Sequence, residues 1–135
     1  MKLYHASKHK FEKIERRQAT AAGGVEVPAS ELQDKIYLTP DIGFAIAMAA
    51  GPEGMTSLID GEISFENYEQ FDESRPVYVY VVDSENLPAE LLEKVDDEQF
   101  ALDMDKIDYD EVKEFKAGDV FKCYKLTNWV HPNDL

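Results

Sequence analysis

Three histidines, one cysteine and 28 carboxylates are the side chains from which this 135-residue chain could build chemistry. His5 and His9 have the i,i+4 spacing with which a helix presents a zinc pair. They straddle the predicted end of a strand, however, and the glutamate of an H-E-x-x-H site is missing. Asp103, Asp105 and Glu114 stand at the first, third and twelfth positions of a calcium loop, but Ile107 replaces the fifth ligand and Asp108 the turn-making glycine. Asp103 to Glu111 therefore reads as a solvated acidic segment, and no metal is expected. Cys123 falls in a Phe- and Tyr-flanked run predicted as a strand, where burial raises a thiol pKa, so a buried structural thiol is expected there. As the only cysteine it can form no intramolecular disulfide, and a reducing, cytoplasmic setting is the expectation. No G-x-S-x-G elbow, P-loop or G-x-G-x-x-G fingerprint is present.

The elements that must position these residues follow from local pattern. Lys2-Leu3-Tyr4-His5 reads as a first strand entering a Ser/Lys-rich loop, which Phe11 and Ile14 pin to the core. Gln18 to Glu31 reads as a long loop. Lys35 to Thr39 is β-prone and stopped by Pro40; Thr39-Pro40-Asp41 then opens a helix with Thr39 as its cap, and Phe44 to Ala50 continues it to Gly51-Pro52. Glu62 to Phe65 is a candidate strand. Val77 to Val82 is the clearest one, apolar on both faces and so central in a sheet. Pro88 to Val95 and Asp97 to Met104 suggest short helices, and Val112 to Phe115 and Val120 to Leu126 read as strands around the turn Ala117-Gly118-Asp119.

Leu3-Tyr4-His5-Ala6-Ser7, then Ile36-Tyr37-Leu38-Thr39-Pro40 ahead of an alanine-rich helix, then Glu114-Phe115, form a dispersed pattern. At these residues the chain resembles ADP-ribosyltransferase-fold proteins of the His-Tyr-acid type, most closely the small rifampin ADP-ribosyltransferase-like branch. There the first strand reads roughly Tyr-His-Gly-Ser/Thr and the second Ile-Tyr-Leu/Phe-Thr. The third motif is a variable acidic or amide residue, usually at the start of a later strand. Ala6 stands where the family has glycine, so one extra methyl enters a contact the family makes with the nicotinamide amide.

The resemblance implies an α+β fold, an ADP-ribosyltransferase-like split mixed β-sheet with flanking short helices, in a single domain over residues 1–135. It implies NAD as substrate, with ADP-ribose moving to an unknown acceptor (protein, nucleic acid or small molecule) and nicotinamide leaving. Cleavage through an oxocarbenium-like ribose gives the residue types their reason. His5 would bond a ribose hydroxyl, Tyr37 would stack on nicotinamide, and Glu114 would face the developing charge, with Glu111 and Asp83 as alternatives. Ala6, Ser7, Thr39 and Arg16 complete the expected NAD contacts, and Lys8, Lys10 and Arg17 join Arg16 near the pyrophosphate. Without the resemblance, His5 reads as a surface or satisfied histidine, Tyr37 as a core aromatic and Glu114 as one solvated acid among many.

Charge bounds the partners. The net charge is −14, and residues 1–35 carry seven basic and five acidic residues against seven and twenty-three over 36–135. An anion site is therefore expected in the first third, and no large nucleic-acid surface is expected. No apolar run is long enough to span a bilayer, so no membrane partner is expected. The acid-dense stretch over 60–111 supports an alternative class, an acidic interaction module of the inhibitor or DNA-mimic type; a catalytically inactive NAD-binding relative is a further alternative.

Overall fold

The alternation of branched and aromatic residues in Pro-Val-Tyr-Val-Tyr-Val-Val-Asp puts an apolar side chain on both faces of one strand, which is stable only with packing on each side. A computed structural model, describing residues 1–15, 17–18 and 34–130, shows that arrangement. Strand β1 (Lys2–Ser7) is followed by the short β2 (Ile14–Glu15) and β3 (Arg17–Gln18), then β4 (Asp34–Leu38) and helix α1 (Ile42–Ala50). Strands β5 (Thr56–Ile59), β6 (Glu62–Phe65) and β7 (Pro76–Asp83) come next, then β8 (Leu92–Lys94), β9 (Phe100–Leu102), β10 (Lys106–Ile107), β11 (Glu111–Lys116) and β12 (Lys125–Leu126). The result is a mixed α+β fold dominated by strands.

β7 is the centre of an antiparallel sheet β1-β7-β11, with His5 opposite Tyr80 and both Ser7 and Glu114 opposite Tyr78. Val77 and Val79 enter one core with Ile46, Ile63 and Phe65, while Tyr80 and Val82 enter a second with Leu3, Ile36, Leu38 and Leu102. A second sheet has the order β3-β4-β9-β8. Among the described residues one isolated bridge joins the two sheets: Tyr4 N–H donates to the Thr39 carbonyl at 2.7 Å and Thr39 N–H to the Tyr4 carbonyl at 2.9 Å. From that joint β1 and β4 diverge. A third sheet, β12-β6-β5, contains the one parallel pair described, β6 with β12.

Helix α1 starts because the Asp41 carboxylate accepts from Gly43 N–H at 2.9 Å and Phe44 N–H at 3.3 Å. The cap is thus Asp41, not the expected Thr39, whose hydroxyl instead accepts from Asp41 N–H at 3.1 Å. The helix ends where Arg75 Nη2 donates to the carbonyls of Ala49, Ala50 and Gly51 at 2.9, 2.8 and 3.2 Å, satisfying acceptors the last turn leaves open. Ala45, Ala47, Ala49 and Ala50 are buried, and their small size lets the helix lie close to β1 and β7.

Four further expectations fail. Pro88 to Val95 and Asp97 to Met104 hold one 3₁₀ turn (Ala89–Leu91) and then the hairpin β8–β9, whose register pairs Leu38 with Phe100 and Ile36 with Leu102. Short helices are held by tertiary packing, and here edge pairing onto β4 supplies more of it than a helix would. Val120 to Leu126 is a 3₁₀ helix (Ala117–Lys122) and the two residues of β12, because the Asp119 carboxylate accepts from Lys116 N–H at 2.9 Å and turns the chain. Cys123 consequently leaves the strand and is exposed, not buried. The predicted loop over 18–31 lies, beyond Gln18, outside the described residues.

Candidate active-site cleft

Where β1 and β4 part beyond the Tyr4–Thr39 joint, their main chains no longer bond each other, and a side chain fills the gap. His5 Nδ1 lies 2.9 Å from the Tyr37 carbonyl oxygen. A carbonyl only accepts, so Nδ1 is the protonated nitrogen, and the backbone of β4 sets both tautomer and ring orientation. The opening beside this contact has a volume of about 230 Å³ and is walled by Tyr4, His5 and Ala6 of β1, Tyr37 to Thr39, one face of α1 (Phe44, Ala45, Met48) and Gln99. Its walls are mostly apolar with a few polar groups, the usual make-up of a small-molecule site. Met48 is 54% exposed, so the cleft opens to solvent along α1.

Of the residues expected in a site, His5, Ala6, Tyr37 and Thr39 are brought together here. Thr39 is 5% exposed, and its backbone forms the joint between the sheets. Ser7 does not line the cleft; its hydroxyl accepts from His9 N–H at 3.1 Å and shapes the loop that follows β1. Arg16 lies outside the described residues. That loop is fastened from below: the Tyr80 hydroxyl accepts from Phe11 N–H at 2.6 Å and donates to the His9 carbonyl at 3.1 Å, and the Tyr109 hydroxyl donates to the Phe11 carbonyl at 2.8 Å. Burial pushes the Tyr80 phenol above its ordinary pKa, so it stays a donor. Lys8, on the same loop, is held below the usual lysine range first by burial and then by the nearby Arg75 charge.

None of the three candidate acids enters the cleft. Glu114 is exposed on β11, the far neighbour of β7, so two strand spacings, roughly 9–10 Å, separate its backbone from β1. Glu111 lies on the same strand opposite Val81. Asp83 sits at the opposite end of β7, opposite Lys2, where its carboxylate accepts from Glu85 N–H at 3.0 Å and pairs with the N-terminal ammonium at 3.5 Å. The Glu85 hydrogen bond is the main reason its carboxyl stays below the usual range.

Instead the cleft receives Gln99. The β4–β9 register pairs Leu38 with Phe100, and continuing it by one residue sets Gln99 opposite Thr39, at the joint. The Gln99 carbonyl accepts from Val95 and Asp96 N–H at 2.9 and 3.3 Å, closing the β8–β9 hairpin and fixing this position. The sequence signal that marks it is an amide one residue ahead of a β-prone Phe-Ala-Leu. Phe44 and Met48, one helical turn apart on α1, were also not singled out by sequence pattern. Neither Asp41 nor Glu98, each close in sequence to a wall residue, lines the opening. Both lie near the Tyr124 phenol, which is pushed up to about 12, first by burial and then by these two carboxylates.

No family model, no curated protein and no solved structure matches this chain. Among the described residues no group of three His, Cys, Asp or Glu side chains is placed to hold a metal ion, and no helix is long and apolar enough to cross a membrane.

Proposed function

We propose that the cleft takes the nicotinamide-ribose end of NAD and that the protein is of the ADP-ribosyltransferase type, moving ADP-ribose to an acceptor as nicotinamide leaves. The observation that carries this reading is the convergence of His5, Tyr37 and Gln99, from three separate strands or strand ends, on one opening between two parts of a split sheet. An amide at the start of β9 is the kind of residue, in the kind of place, that the resemblance asks of its third motif. A volume of about 230 Å³ is below that of most drug-sized sites, which suits one end of a dinucleotide with the remainder lying outside.

In this reading the Tyr37 ring offers the flat face for nicotinamide, and His5, its orientation fixed by the Tyr37 carbonyl, offers a polar anchor to the ribose. Lys8, on the loop continuing from β1, is a cation available to a pyrophosphate.

The test is NAD binding and nicotinamide release by the purified protein beside His5→Ala, Tyr37→Ala and Glu114→Gln. Losses of about tenfold or more in affinity or release in the first two, with Glu114→Gln unchanged, support the reading. Absence of NAD binding at millimolar concentration overturns it and favours the acidic interaction module, which a salt-sensitive complex with a basic partner would then identify. Binding with no release in any acceptor mixture identifies an inactive NAD-binding relative.

A further inference from the structure

The ladder between β5 and β6 decides which way the main chain of β5 faces. Thr56, Ser57, Leu58 and Ile59 stand opposite Phe65, Ser64, Ile63 and Glu62, and Glu66 N–H donates to the Met55 carbonyl at 2.9 Å. Hydrogen-bonded and non-bonded pairs alternate along an antiparallel ladder, so with Met55 and Glu66 bonded, Ser57–Ser64 and Ile59–Glu62 are the next bonded pairs. The N–H and C=O groups of Thr56 and Leu58 therefore point away from β6. β5 is the outer strand of the sheet β12-β6-β5, and among the described residues nothing bonds to the main chain of Thr56 or Leu58 from that side.

The edges at β11 and β8 are guarded by charge. β11 carries Glu111, Lys113, Glu114 and Lys116, and β8 carries Glu93 and Lys94, a pattern that discourages the addition of another strand. β5 is Thr-Ser-Leu-Ile, with neither charge nor proline. Leu58 packs against the core of Ile63 and Phe65, whereas Ile59, on the opposite face, is 65% exposed. The surroundings carry one sign: residues 51–74 hold seven acids and no lysine or arginine. Glu62 and Glu66 share the face of Ile59, Asp60 stands in the turn, and among the described residues none of the three forms an ion pair. Lys125 lies on β12, on the far side of β6.

We propose that the β5 edge is a docking site for an extended segment of a partner protein in which basic and apolar residues alternate, added antiparallel to the sheet as a further strand. Main-chain bonds to Thr56 and Leu58 hold it, its apolar side chains continue the row of Leu58, and its cations lie on the face of Ile59, Glu62 and Glu66. Charge rejects a second copy of this chain, because pairing two β5 edges sets two acidic hairpins side by side. The site lies on a different sheet from the cleft and stands whether or not the cleft takes NAD.

The experiment titrates the full chain with a capped peptide of about six residues alternating lysine and valine, read by calorimetry and amide hydrogen exchange. In the free protein the Thr56 and Leu58 amides should exchange rapidly while those of Ser57 and Ile59 are protected, and the peptide should slow Thr56 and Leu58 at least about tenfold. Residues bonded to Thr56 and Leu58 share their face, so they are the valines. N-methylation of the valine amides should weaken binding at least about tenfold, whereas N-methylation of the lysine amides, which point outward, should not. Ile59→Lys should weaken binding by the same factor at unchanged melting temperature. Absence of binding at millimolar peptide overturns the proposal, as does equal binding of the two methylated peptides. Thr56 and Leu58 amides already protected in the free protein overturn it by showing another segment of this chain on the edge. Self-association abolished by Ile59→Lys overturns it by naming a second copy as the occupant.

Discussion

Replacing Tyr80 by Phe removes one oxygen from the interior and nothing else, so its effect can be worked from the contacts that oxygen makes. The residue is 0% exposed, and its hydroxyl accepts from Phe11 N–H and donates to the His9 carbonyl. Each bond contributes about 0.5–1.5 kcal/mol net, and the Phe11 amide, part-buried against the ring that stacks on Tyr80, loses its acceptor. Together these give a loss of about 2 kcal/mol, roughly thirtyfold in the folding equilibrium constant. Urea denaturation followed by fluorescence should show a lower midpoint at unchanged slope, and amide exchange at Phe11 should accelerate more than exchange in β7. Because Tyr109 holds the Phe11 carbonyl, Tyr109→Phe should couple with Tyr80→Phe by more than about 0.5 kcal/mol. A loss under about 0.5 kcal/mol at constant slope would refute the argument that this hydroxyl fastens the loop.

Asp41→Ala should cost about 1–2 kcal/mol, since one carboxylate satisfies two amides of the first turn, and should also weaken ligand binding because Phe44 on that turn walls the cleft; thermal melts with and without NAD check both. Tyr124 has a folded-state pKa raised to about 12, so its contribution is fully present below the ordinary phenol value near 10 and is lost as pH rises from there toward 12. Tyr124→Phe should accordingly flatten the decline of melting temperature between pH 9.5 and 11.5 (about the span of that shift) relative to the unaltered protein. Gly61→Ala should destabilise by about 1 kcal/mol in denaturant titrations, because Asp60 and Gly61 close the β5–β6 hairpin at φ values of 52° and 78°, a two-residue turn that requires the left-handed region.

The strands that build the first core were legible because their patterns are local. The β7 run is apolar on both faces, and a joint of β4 and α1 is written in Thr39-Pro40-Asp41, although the cap falls two residues later than expected. His5 and Tyr37 were legible as a pair through the resemblance alone; nothing in their separate environments marks them. Gln99 was hidden because its position depends on which strand its hairpin joins. Asp96-Asp97-Glu98-Gln99 has the composition of a solvated helix start, and only the pairing of Phe100, Ala101 and Leu102 with β4 carries that string to the mouth of the cleft. Glu114 was attractive for the opposite reason: it precedes a β-prone aromatic, yet its strand is added on the far side of β7. Sequence pattern reports which residues are strand-like, whereas the order of strands within a sheet is decided by partners distant in the chain.

The contact between His5 and the Tyr37 carbonyl joins the two sheets just beyond the Tyr4–Thr39 bridge, the one isolated bridge among the described residues. Because it spans β1 and β4, a change in the angle between the sheets changes the length of that hydrogen bond. The imidazole is thus a built-in gauge of aperture: its nitrogen chemical shifts, read by isotope-edited spectroscopy, would report how far apart the two walls stand without a ligand or an attached probe.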